Sequence, residues 1–267
     1  VPFRLATDPA HTDRVNEDFA AVGADVAVLL DGAGTPAGFE SGCVHGVAWY
    51  TRRLGGLLLA EATPDRTLAD ALASAIDTAA ALHGPACDLA DPNTPSATVA
   101  AVRFTPDRLD YLVLADSVLV VDLVDSDPLV VTDDRINAAE QEVRRLHPAG
   151  EKLTRREFDA GLAQYRNVPG GFWTAGADPR AAGEALTGSV PLAGVAGLAL
   201  LTDGASRLVD TFGLLDWRAL LDLLHTQGPQ ALIARVRDAE RADPDGRRWP
   251  RSKRHDDATV ITWRPAN

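Results

Sequence analysis

Segments with helical periodicity arrive in pairs along this chain, and each pair is flanked by runs of strand-patterned segments; that order constrains the fold more than any other feature. Strand character opens the chain at residues 3–6, 19–22 and 26–30. One helical stripe then runs through Val44, Val47, Ala48, Thr51, Leu54 and Leu58, and a second through Leu68, Leu72, Ala75, Ile76 and Ala79. Thr67 and Asp70 approximate a capping box at the start of the second. Strand segments follow at 98–104, 109–114, 119–124 and 129–131, turned by "TPDR" and "DSDP". A polar, mostly helical stretch at 134–164 reads as peripheral. Strand character returns at 172–175 and 197–202, two amphipathic helical segments meet at Gly228-Pro229, and a strand at 258–263 closes the pattern. A doubly wound parallel sheet alternates helix and strand one for one. Paired helices predict antiparallel sheets with helices outside, an α+β fold, and one domain spanning 1–267.

With 267 residues, 46% of them hydrophobic, the chain can bury a sizeable core. Its net charge of −12 argues against nucleic acid or an anionic membrane as partner. The same charge opposes phosphorylated substrates unless metal ions or basic patches reverse the field locally. No apolar stretch approaches the roughly 20 residues of a membrane helix. The first residues, "VPFRLATDPAHTDR", lack a signal-peptide pattern, so the expected location is cytoplasmic. Cys43 and Cys87 make no disulfide framework and read as small apolar fillers in a reducing compartment. The six histidines show no His-x-x-x-His spacing, which predicts surface or core roles for each. No phosphate-cradling glycine loop and no Gly-x-Ser-x-Gly elbow occurs.

The informative carboxylates lie at the ends of apolar strands. Asp31 follows Val-Ala-Val-Leu-Leu, Asp116 follows Tyr-Leu-Val-Leu-Ala, and Asp203 follows Leu-Ala-Leu-Leu-Thr. Asp256 and Asp257 precede Ala-Thr-Val-Ile, and Glu17-Asp18 precede the strand at Phe19. Any one of these reads equally as a turn residue or a helix cap. Five such places in one chain favour a shared site, where cations offset the mutual repulsion. Oxygen ligands without His or Cys among them suit hard ions such as Mg²⁺ or Mn²⁺. Glycine after Asp31 and after Asp203 allows close backbone approach.

Six stretches in order, "NEDF" (16–19), "LLDGAG" (29–34), "SATVAAV" (96–102), "LADSVLVV" (114–121), "LLTDGAS" (200–206) and "HDDATVI" (255–261), resemble the metal-dependent protein phosphatases of the protein phosphatase 2C (PPM) family, in a divergent, actinobacterial-like form. The resemblance implies a four-layer α-β-β-α sandwich with two central antiparallel sheets. It implies hydrolysis of phosphoserine or phosphothreonine in proteins, by a water bridging a binuclear Mg²⁺ or Mn²⁺ centre, within a Ser/Thr kinase system. Asp31 would bridge both ions, the Gly32 carbonyl would bind one, and Asp203 and Asp256 would complete the first site. Glu17 or Asp18 would serve the second, and Asp116 a third ion. Residues 133–170 fall where the family carries a flap.

The departures touch substrate. The family's phosphate-clamping Arg is Asp13 here, with Arg14 one place later as clamp or plain surface. Ala33 stands where members carry a His proposed as general acid, Ala115 and Val118 replace the Gly and Arg of Gly-Asp-Ser-Arg, and Asp257 replaces an Asn. "RRWPRSKR" (247–254) is a solvated loop or a docking surface for phosphoprotein. Two other functions stay open: a phosphatase of small phosphate esters, and a metal-binding pseudophosphatase or phosphoprotein-binding module.

Overall fold

A computed structural model of the chain describes residues 3–34, 39–148 and 151–265. Its strands are β1 (Phe3–Asp8), β2 (Phe19–Val22), β3 (Val26–Ala33), β4 (Ser96–Phe104), β5 (Arg108–Leu114), β6 (Val118–Leu123), β7 (Leu129–Val131), β8 (Leu186–Pro191), β9 (Val195–Leu201) and β10 (Ala258–Trp263). The helices are α1 (Val47–Glu61), α2 (Leu68–Ala81), α3 (Arg135–Leu146), α4 (Arg155–Ala163), α5 (Asp203–Asp210), α6 (Trp217–Gln227) and α7 (Pro229–Ala242). The strands pair antiparallel in two five-stranded sheets, β1-β10-β9-β6-β7 and β2-β3-β4-β5-β8.

Central strands bury both faces, which is why they read as unbroken apolar runs. Along β3, Val26, Val28 and Leu30 face α1 and α2, while Ala27 and Leu29 face the other sheet. The second sheet divides likewise. Leu119, Val121, Leu198, Leu200 and Ile261 fill the space between the sheets, whereas Val118, Val120, Ala199, Leu201 and Val260 pack beneath α5, α6 and α7. Three apolar layers therefore separate four structural layers, the α-β-β-α sandwich that the family resemblance implied, with the helices outside as their pairing predicted. Burying each large side chain of these layers, such as Leu29, Leu54 or Leu72, stabilises by about 1.5–3 kcal/mol.

Four elements differ from the sequence reading. Helix α1 starts at Val47, and Val44 lies 70% exposed in the loop before it. Residues 172–175 form only two isolated bridges, Phe172 to Arg166 and Ala175 to Ala97. The edge strand is β8, whose Leu-Thr-Gly-Ser-Val-Pro carries too few inward apolar residues to show a pattern. Asp203 opens helix α5 directly from the end of β9. The 134–164 stretch folds as α3 and α4, and Thr154 and Glu157 close a capping box on α4.

Charge also ties the layers together. Glu240 on α7 is fully buried; its carboxylate receives Arg207 of α5 at 2.5 Å, Arg237 at 2.9 Å and the His255 ring at 2.7 Å. Arg237 reaches on to Asp8 at the end of β1, and Arg207 to Asp256 at 3.2 Å. One carboxylate thus fixes α5, α7, β1 and the approach to β10. Removing one partner of a buried ion network leaves the others uncompensated, a loss of about 3–5 kcal/mol. Glu240→Ala is expected to lose that much in urea unfolding, and a loss below about 1 kcal/mol, the scale of an exposed pair, would remove this role.

Candidate metal centre

The two sheets are joined at one end of the sandwich, where β5 of one sheet passes to β6 of the other through Ala115, Asp116 and Ser117. So tight a crossing puts Ala115 at φ 62°, a left-handed conformation that favours glycine. The Thr98 hydroxyl of β4 bonds the Ser117 hydroxyl at 2.6 Å and holds the crossing to the first sheet. Thr98 is also the register partner of Asp31 on β3. Asp31, Asp116, Asp203 and Asp256 therefore come from the same end of β3, the β5–β6 crossing, β9 and β10, and Asp18 joins them from the start of β2.

Both Asp-Gly pairs permit close packing. A Cβ at Gly32 would lie 2.7 Å from the Glu17 carbonyl oxygen and would strike Val47, the first residue of α1. A Cβ at Gly204 would collide with the Asp257 carbonyl. Each glycine thus lets a second acidic segment slide against the strand end that carries the first.

The electrostatics follow from this crowding. Burial, then the charges of Asp203, Asp18 and Asp256, push the Asp31 carboxyl well above the usual range. Asp18 is pushed up to about 8, chiefly by burial and then by Asp257 and Asp203. Its Oδ2 accepts from the Thr202 hydroxyl at 3.1 Å, whereas its buried Oδ1 has no hydrogen-bond partner among the described residues. Asp116 rises to about 7 through burial and then Asp203, with Asp133 and Asp256 adding to it. Glu17 and Asp256 are raised as well, each first by burial.

Two cations offset part of this charge. Lys253 Nζ, on an exposed side chain, lies 2.9 Å from Asp256 Oδ1, and against some desolvation its ammonium is held well above its ordinary range by Asp256, Asp203 and Asp31. Arg207 takes the other oxygen of Asp256. Arg14, by contrast, is exposed, and its guanidinium makes no hydrogen bond or ion pair among the described residues. Asp257 adds its charge beside the site, as expected, raising Glu17 and Asp18, and its oxygens also accept backbone hydrogen bonds: Oδ1 from Ala10 N and Oδ2 from Glu17 N, both at 2.7 Å. It therefore pins the loop that presents Glu17 and Asp18.

The sequence reading missed Lys253 as part of this cluster, although "RRWPRSKR" had drawn attention. Within that run Arg251 turns inward to Asp243 at 3.2 Å, Trp249 packs on Phe212, and Arg247 and Arg248 remain outside. It missed Arg207 and Glu240 as well, since a buried charge on an amphipathic helix resembles a surface one. A second group was also unforeseen. Cys43, His45, His83 and Cys87 approach so closely that one ligand atom of each lies within 4.8 Å of the others. The histidines lack helical metal spacing because they stand on two different loops.

An unpartnered buried carboxylate oxygen, an all-oxygen donor set and several carboxyls raised by burial and by one another are what a hard divalent cation site presents. The residues at this end of the sandwich fit Mg²⁺ or Mn²⁺.

Comparison with known proteins agrees with the architecture. No curated protein matches the sequence. Among solved structures, the catalytic domain of the serine threonine protein phosphatase PstP in complex with two manganese ions superposes with a TM-score of 0.58 at 16% identity, over 98% of this chain and 96% of that one. The Mycobacterium tuberculosis serine/threonine phosphatase PstP/Ppp gives 0.57 at 18% identity, over 98% and 97%. Stp1 from Staphylococcus aureus gives 0.60 at 13% identity, over 99% and 95%. At such identities the likeness shows the fold. The model of the family described as "Protein phosphatase 2C" matches residues 8–236, well over half of the sequence. The chain belongs to the protein phosphatase 2C family, and with it to the enzymes that hydrolyse phosphate monoesters.

Proposed function

We propose that this carboxylate end of the sandwich hydrolyses phosphoserine and phosphothreonine in proteins, with two Mg²⁺ or Mn²⁺ ions as cofactor. The observation that carries the reading is the meeting of Asp31, Asp203, Asp256 and the half-satisfied Asp18 at one end of both sheets. Asp31 would hold both ions and the Gly32 carbonyl one of them, Asp203 and Asp256 would complete one site, and Glu17 or Asp18 the other; Asp116 would take a third. Bound there, the cations would neutralise the phosphate and activate water at neutral pH. The whole chain is proposed as one phosphatase domain. Residues 133–170 form the flap, of which 149 and 150 lie outside the described residues. A cytoplasmic setting, a Ser/Thr kinase that supplies the substrate, and no nucleic-acid or membrane partner complete the proposal.

The chain's own residues divide the remaining work. Ala33 offers no proton, so the leaving alkoxide takes one from solvent. Lys253 answers Asp256 while the acids lack other cations. Once they are neutralised, its ammonium is free to meet a phosphate oxygen, and it supplies the charge that Asp13 cannot. Arg14, exposed one residue on, is free to bind the substrate's phosphate or its flanking acids.

Four outcomes test this reading. With Mn²⁺ and a phosphothreonine peptide, Asp31→Asn and Asp203→Asn are expected to cut turnover by more than about 100-fold, beyond the loss of a merely supporting residue. Equal, background-level rates in wild type and variants would leave a binding module, whereas activity confined to small phosphate esters would change the substrate class. Lys253→Met is expected to tighten Mn²⁺ binding, measured calorimetrically, while raising KM for the peptide. Arg14→Ala should raise KM alone; an unchanged KM would take Arg14 out of the site.

The fourth outcome concerns pH. Asp18 and Asp116 keep their protons up to about 8 and about 7 in the folded chain, but lose them near the ordinary 3.8 of a carboxyl when unfolded. Between those limits the folded state binds more protons, so its stability falls as pH rises. The Tm of cation-free protein is expected to drop from pH 5 to pH 8, and less steeply in Asp18→Asn. Added Mn²⁺ should restore more stability at pH 8, where the acids are ready to bind it. A Tm that climbs over this range in the cation-free chain would contradict the crowding.

A further inference from the structure

We infer that Cys43, His45, His83 and Cys87 form a structural zinc site that braces the segment entering α1 against the loop after α2. The four residues come from two segments, Cys-x-His just before α1 and His-x-x-x-Cys just after α2. Because α1 and α2 run antiparallel as a pair, the start of one lies beside the end of the other.

The distances have the size a tetrahedral ion requires. With Zn–S near 2.3 Å and Zn–N near 2.0–2.1 Å, the edges of a Cys₂His₂ tetrahedron are about 3.8 Å for S–S and about 3.6 Å for S–N. Here the two Sγ atoms are 3.6 Å apart. Cys43 Sγ lies 3.5 Å from Nδ1 of both His45 and His83, and Cys87 Sγ lies 3.4 Å from His45 Nδ1. The cysteines are free rather than bridged. Without an ion, only thiol hydrogen bonds would hold the group together, and sulfur is a poor donor and acceptor.

The surroundings suit coordination. The backbone N–H of His45 donates to Cys43 Sγ at 3.3 Å, a contact that favours thiolate. The His45 ring stacks on Trp49 of α1 at 4.1 Å, and His83 meets the same indole edge-on at 4.9 Å, so both imidazoles are held in place. Two thiolates and two neutral imidazoles around Zn²⁺ give a centre of net charge zero, with two protons released to solvent on binding. Soft sulfur and imidazole ligands select zinc over the Mg²⁺ or Mn²⁺ suited to the carboxylates. Four protein ligands leave no open position, which makes the site structural. Its consequence reaches the acidic centre, since the braced loop leads into Val47, the residue packed against Gly32.

The test uses the full chain, reduced, stripped with a chelator and titrated with Co²⁺ alone. One equivalent is expected to give the intense visible bands of tetrahedral cobalt with thiolate charge transfer. One equivalent of Zn²⁺ should bleach them, and excess Mg²⁺ should not. Cys43→Ser/Cys87→Ser should abolish both features. Cys87→His should keep the tetrahedral bands with about half the charge-transfer intensity, which separates lost ligation from lost folding. A wild-type chain with both thiols reduced and no tetrahedral spectrum would overturn the assignment. So would a spectrum that survives the double substitution, or a Cys43–Cys87 disulfide whose reduction yields no cobalt binding.

Discussion

Repulsion among carboxylates drawn to one end of two sheets is the constraint that the surrounding structure answers. Asp31, Asp203, Asp256, Asp18 and Asp116 each raise, or are raised by, at least one of the others, and burial amplifies every term. Protons, Lys253 and Arg207 offset the charge when no other cation is present. Arg207 would be a costly buried charge itself without Glu240, and Glu240 without Arg237 and His255. The ion network under α5 and α7 is therefore the inner support of the acidic rim. It lets the strand ends stay where hydrophobic packing puts them.

Packing puts them there for a separate reason. Each central strand buries both faces, so its register is fixed by apolar layers on either side, and a slip by one residue would exchange the layers. Asp31 and Asp203 sit where those layers stop. The crossing at Ala115 then brings the sheets together at that same end, and Asp257 spends its carboxylate holding the loop of Glu17 and Asp18 over them. Acidic side chains are delivered by elements whose positions do not depend on them, which is how a fold can tolerate so unfavourable a cluster.

This division explains what could be read in the sequence. Strong apolar runs bounded by acid made β3, β9 and β10 and their aspartates visible, and paired helical stripes placed helices outside the sheets. Residues that act through long-range partners left no local trace. Glu240 and Arg237 occupy an ordinary-looking amphipathic helix, and their burial depends on Asp8 and Arg207, distant in sequence. β8 failed to show because an edge strand needs only one neighbour and little apolar surface. That Asp257 also holds a loop left no local trace, because its two backbone donors lie some 240 residues away in sequence. Cys43 and His45 could be joined to His83 and Cys87 only once α1 and α2 were known to lie antiparallel.

The two proposed metal sites share one stretch of chain but no ligand chemistry, and that separation has a physical use. Oxygen ligands hold hard cations loosely enough for water and phosphate to enter, whereas a closed sulfur–imidazole set has no vacancy to lend. Between them run Gly32 and the loop that enters α1, with Val47 against Gly32. A site that must exchange ligands needs a backbone that does not move with them. A brace of different chemistry on the far side of Val47 supplies that rigidity without competing for the same ion, and an all-carboxylate brace could not have done so in a chain of net charge −12.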